Sequence, residues 1–128
     1  MKLGQIAAAA PALAKLGEER LSPKALYRLD KLMRKIEGEI EFYNKQRNET
    51  VISLGEHVKD SEYRIPTEKR AEFEEKMRAI DNIEVEGEVS PVRISTEENI
   101  RLSYNDLRLL RGFIEIEDED DKEAKEEG

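Results

Sequence analysis

The sequence predicts an α+β protein that is mostly α: one long helix, a second amphipathic helix, a small antiparallel hairpin and a short C-terminal helix. Three observations predict it. Apolar residues recur at spacings of three and four from Leu26 to Tyr43, the period of one helix face. After residue 82 the spacing switches to two, with Ile83 and Val85 alternating with Glu84 and Glu86, as in a half-buried strand. The chain has 128 residues, 38% hydrophobic and only 5% aromatic. That is enough for one ordinary domain and too little for a two-domain enzyme.

The N-terminal stretch is rich in Ala. Ile6, Ala9, Ala10, Leu13 and Leu16 keep helical spacing up to Gly17, so residues 1–17 are read as a short amphipathic helix. Its apolar run is too weak and too short for a secretion signal or a membrane span. The expected location is therefore the cytoplasm, with no membrane partner.

Ser22-Pro23 opens the long helix, because Ser is a preferred N-cap and Pro lacks the N–H that would be unpaired at the first helical position. Leu26, Leu29, Met33, Ile36, Ile40 and Tyr43 then trace a narrow seam, as in a coiled coil or a helical hairpin. The seam turns polar near Arg47, and Gly55 marks the stop, which gives a helix over 22–54. Residues 53–65 read as a connector.

Thr67 is the expected N-cap of the second helix, which has Ala71, Phe73, Met77 and Ile80 along one side and ends near Asp81-Asn82. The period-two segments around 83–86, 89–94 and 100–102 predict two or three short antiparallel strands, with Pro91 on an edge. Ser103, with Asp106 three residues on, caps a last helix from Tyr104 to Arg111. Its core face is read as Leu107, Leu110 and Phe113. Residues 22–116 thus form one predicted domain, followed by a disordered acidic tail over 117–128.

Charge is unevenly placed within the overall net of −8. Residues 1–35 hold eight Lys/Arg against three acids, residues 36–114 twelve against eighteen, and residues 115–128 two against nine. Most of the acidity thus comes from one short segment. Lys24, Arg28, Lys31 and Lys35 follow i, i+4, i+7, i+11 spacing and make a basic stripe on the long helix. No aromatic residues interleave with it, which argues against nucleic acid as the partner.

The absence of Cys excludes disulfides, a thiol nucleophile and Cys-based metal sites. A single His excludes two-His metal motifs, and no glycine-rich phosphate loop is present. His57 has only solvated acids around it in the sequence, and the paired glutamates carry no sign of the burial that acid–base work requires. The expectation is a non-enzyme without cofactor or metal. The residues singled out for partner binding are Leu29, Met33, Ile36, Ile40 and Tyr43, on the seam.

The stretch Ala25-Leu26-Tyr27-Arg28-Leu29-Asp30-Lys31-Leu32, with Ile40-Glu41-Phe42-Tyr43, carries a resemblance. It continues through Ile65-Pro66-Thr67-Glu68-Lys69, Val89-Ser90-Pro91-Val92-Arg93-Ile94 and Leu102-Ser103-Tyr104-Asn105-Asp106-Leu107. Over roughly residues 22–116 the chain is similar to small acidic uncharacterised proteins of phages and prophages of Gram-positive bacteria. The resemblance implies a phage context and no catalytic residues. Two functions follow as expectations. The first is an interaction or assembly protein that associates with itself or another protein through the long helix. The second is an acidic nucleic-acid mimic that inhibits a host DNA- or RNA-binding protein.

Overall fold

The structure, a computed structural model, describes residues 1–95, 98 and 100–117. The elements are α1 (Leu3–Glu18), α2 (Pro23–Leu54), β1 (Glu56–Lys59), β2 (Glu62–Arg64), a 3₁₀ turn (Thr67–Lys69), α3 (Arg70–Asp81), β3 (Val92–Ser95), α4 (Tyr104–Leu109) and β4 (Ile114–Glu117). The class is α+β and mostly α, as the sequence predicts. The expected tail lies outside the described residues except for Glu117.

The described residues fall into two compact units, each assembled from separated parts of the chain. One comprises residues 1–7 and 38–86; the other comprises residues 8–37 and the described residues from Gly87 to Glu117. The N-terminal helix is therefore an integral part of the fold.

The 8–37/87–117 unit holds most of the buried apolar side chains. Ala9, Ala12, Leu13 and Leu16 come from α1, and Ala25, Leu29, Leu32 and Ile36 from α2. Val92 and Ile94 of β3 join Leu110 and Phe113, all at most 7% exposed. α2 begins as predicted, with the Ser22 hydroxyl accepting from the Ala25 amide at 3.3 Å. The predicted antiparallel pairing over 83–102 is not formed. β3 pairs instead with β4, in parallel, with Val92 opposite Ile114 and Ser95 opposite Glu117. Arg93 faces Glu115 and Glu117 at 3.5 and 3.4 Å, an arrangement the alternation of Val92, Arg93 and Ile94 favours. Leu107, expected in the core, is exposed.

In the 1–7/38–86 unit the buried apolar residues are Leu3, Ile6, Leu54 and Pro66. Gly55 ends α2, and a Cβ there would lie 2.5 Å from the Val51 carbonyl oxygen. The antiparallel hairpin sits here, as β1 and β2, with Glu56 opposite Arg64, in the segment expected to be a connector. Its turn places Asp60 at φ 48°, a left-handed conformation that Asp tolerates better than most residues. Ile83 and Val85 form no strand with 92–102. They meet the N-terminal segment through a bridge between Lys2 and Glu84, with the Leu3 amide donating to the Ile83 carbonyl at 2.8 Å and the Val85 amide to the Met1 carbonyl at 2.9 Å. Thr67 does not cap α3. The chain enters through the 3₁₀ turn, and no side chain supplies the cap bond.

Candidate functional site

The basic stripe of α2 becomes one wall of a groove. Arg28 and Lys31 line a cavity of about 280 Å³ together with Pro91, Val92 and Arg93. Helical geometry puts Lys24 and Lys35 on the same side, one turn beyond at either end. The Arg28 guanidinium donates to the Arg93 carbonyl at 3.1 Å, and the Lys35 ammonium donates to the Glu88 carbonyl at 3.3 Å. Lys31 lies 4.8 Å from the centre of the Tyr27 ring, within range for a cation–π contact. No carboxylate among the described residues forms an ion pair with Lys24, Arg28, Lys31 or Lys35. The groove thus combines a small apolar floor with cations that no carboxylate among the described residues pairs with. Periodicity along α2 reveals half of it. Arg93 was missed, because a helix's own spacing contains no information about which strand lies beside it.

Elsewhere in the same unit, Asp106 is the only buried charged residue among the described residues. It is the third residue of α4, and with Ser103 it forms the reciprocal capping box the sequence predicts. Its carboxylate also accepts from the Lys15 ammonium at 3.3 Å, tying α1 to α4. Burial pushes the Asp106 pKa up, but hydrogen bonds with Ser103 and Lys15 and the lysine's charge outweigh it, holding the carboxyl below its ordinary value. A depressed carboxyl pKa stabilises the fold above the unfolded value of about 4 and loses that contribution as pH falls through the folded value. Asp106→Asn is therefore expected to be less stable than the parent at pH 7, with the difference shrinking below about pH 4. Urea unfolding at a series of pH values checks this; a pH-independent difference contradicts it.

The seam residues divide by exposure. Leu29 and Ile36 are 4% and 0% exposed, so they belong to the core of the folded chain and offer no surface to a second molecule. The seam is not an open strip along its length. Met33, Ile40 and Tyr43 are half-buried. The Tyr43 phenol is raised above its ordinary pKa, first by burial and then by a hydrogen bond with Asp81 at the end of α3.

His57 has a local structural part. Its Nε2 donates to the Asp60 carbonyl across the hairpin turn, and its ring meets Tyr63 edge-on at 5.3 Å. Among the described residues no group of three His, Cys, Asp or Glu side chains is placed to hold a metal ion, and no helix is long and apolar enough to cross a membrane. No family model, no curated protein and no solved structure matches the chain.

α3 has a different character from the groove. Phe73, Met77 and Ile80 lie along one side of it, as the sequence predicts, yet the helix contains no buried residue. The three are half-buried. In the same unit, Ile52, Val58 and Ile83 are 56%, 59% and 41% exposed. This unit has apolar side chains in number but little to cover them.

Proposed function

We propose that the chain is a non-enzymatic interaction protein of phage or prophage type that self-associates through the apolar side of α3. The observation that carries this reading is the incomplete cover of Phe73, Met77 and Ile80 on a helix with no buried residue. An apolar stripe of this kind gains free energy when a second surface removes it from water.

The charges on α3 favour a second copy as that surface. If two α3 helices run antiparallel about a two-fold axis at Glu75, Glu72 of one lies opposite Arg78 of the other. In the same arrangement Glu74 lies opposite Lys76, and Phe73 opposite Met77. Each of these three pairs is made twice, once on either side of the axis, as an isologous interface requires. A helix of 12 residues is about 18 Å long, so the interface is small and belongs to the weak, concentration-dependent class.

Light scattering coupled to size exclusion, run on the full chain over a wide concentration range, tests the proposal. The mass is expected to rise from 14.8 kDa toward twice that value. Phe73→Asp with Met77→Asp is expected to hold the protein at the monomer mass with unchanged helicity, because neither side chain is a core residue. A parent protein that stays monomeric at every concentration overturns the reading.

A further inference from the structure

The groove beside α2 has cations that form no ion pair with a carboxylate among the described residues, and a nearby source of anions. Its wall carries Lys24, Arg28, Lys31 and Lys35, and its rim carries Arg93. Arg93 already holds two carboxylates, those of Glu115 and Glu117 on β4. Glu117 is also the residue from which the remaining chain departs. The eleven residues after it include seven acids (Asp118, Glu119, Asp120, Asp121, Glu123, Glu126, Glu127) against Lys122 and Lys125. Charge of one sign therefore leaves the fold next to a groove of the other sign.

We propose that the groove is a binding surface for acidic peptide and that its occupant is this chain's own segment 118–128, bound in cis. Reach permits it. Glu117 stands opposite Ser95, and Val92 at the groove is three residues back along β3, about 10 Å at strand spacing. Eleven residues extend to at most about 36 Å, so the segment can turn back and run along the stripe.

Tethering also decides between the two possible sources of the same segment. A short tether holds its end at an effective concentration of order mM, well above any second copy in dilute solution. Single exposed ion pairs are weak. Several cations along one helix face, met by seven acids on one short segment, act together, as in the recognition of acidic motifs by clusters of basic residues. Two features shape the fit: the apolar floor of Pro91 and Val92 accepts the segment's backbone and aliphatic stems, and the lysines of the stripe take its carboxylates. This inference stands independently of α3, which lies in the other unit.

The chain has no cysteine, so Ala124→Cys creates a single attachment point for a nitroxide spin label on the otherwise intact protein. Amide resonances of Arg28, Lys31, Val92 and Arg93 are expected to broaden at low salt. The broadening is expected to fade at high salt, where screening shortens to a few ångströms, and to disappear in Lys24→Gln/Lys31→Gln/Lys35→Gln. Those three lysines are exposed, and circular dichroism verifies that the triple variant keeps its helices. The second arm mixes spin-labelled chain without isotope with unlabelled, isotope-enriched chain, so that only contact between copies broadens signals.

Three results overturn the proposal: no broadening at low salt, broadening in the mixed sample as strong as in the single chain, or broadening that survives the triple substitution in a folded variant. Salt-sensitive broadening that is confined to the singly labelled chain and abolished by the lysine changes supports it.

Discussion

Replacing Ile36 with Ala is expected to cost about 2–5 kcal/mol of folding stability, whereas Ile40→Ala, four residues on along the same helix, costs about 1 kcal/mol. Ile36 is 0% exposed and Ile40 is half-buried. Truncating a side chain with no access to solvent loses its transfer free energy and leaves a cavity that the neighbours fill only in part. At Ile40 the vacated space is partly open to water, which removes the cavity contribution. Domains of this size are stable by only about 5–15 kcal/mol, so the Ile36 variant sits close to the edge of folding. Urea denaturation followed by far-UV circular dichroism measures both. Equal costs at the two positions would mean that Ile36 faces solvent or a partner, contrary to the burial described above.

Phe113→Ala carries the other large expected effect, about 3–5 kcal/mol. Phe113 is the largest of the fully buried side chains, and it sits where the turn after α4 becomes β4. Its amide donates to the Leu110 carbonyl at 2.9 Å, and its carbonyl accepts from the Val92 amide at 2.8 Å. Removing the ring therefore loosens the residue that sets the start of the β3–β4 register. Amide exchange at Val92, Arg93 and Ile94 is expected to accelerate along with the drop in global stability. Unchanged exchange in β3 would show that the ring contributes packing but not register.

The helices were legible because their boundaries are chemical. Ser22-Pro23 starts α2, Gly55 stops it, and the Ser103–Asp106 pair starts α4; each solves a local hydrogen-bonding or steric problem that involves no distant residue. The long seam was legible as a helix but misread in direction. The buried face of α2 runs through Ala25, Leu29, Leu32 and Ile36, a line of the same three-and-four spacing, rotated so that Ala25 and Leu32 face the core in place of Leu26 and Met33.

The strands were less legible, for two separate reasons. β1 is exposed at all four positions, so no apolar alternation marks it, and its hairpin rests on backbone pairing and the His57 contacts. β3 does alternate, but its partner is a parallel strand that begins twenty-two residues after it starts, and alternation says nothing about partner or direction. The groove was half visible for the same reason: the stripe is local, whereas Arg93 is brought to it by the fold.

The interleaving of the two units bears on how the protein is made. Neither unit is continuous in sequence. The 1–7/38–86 unit lacks its last segment until residue 86 has been synthesised, and the other lacks both of its strands until residue 117. α1 is synthesised before the segments that complete both units, yet it carries the buried Leu3, Ile6, Leu13 and Leu16. Contacts of such sequence separation form slowly, and chains that wait with apolar surface uncovered are the ones that aggregate or need chaperones. The Ala-rich start, with its small side chains, presents less apolar area during that wait than a Leu-rich helix of equal length. Folding of these residues therefore waits until the segments that complete both units, as far as β4, have been synthesised.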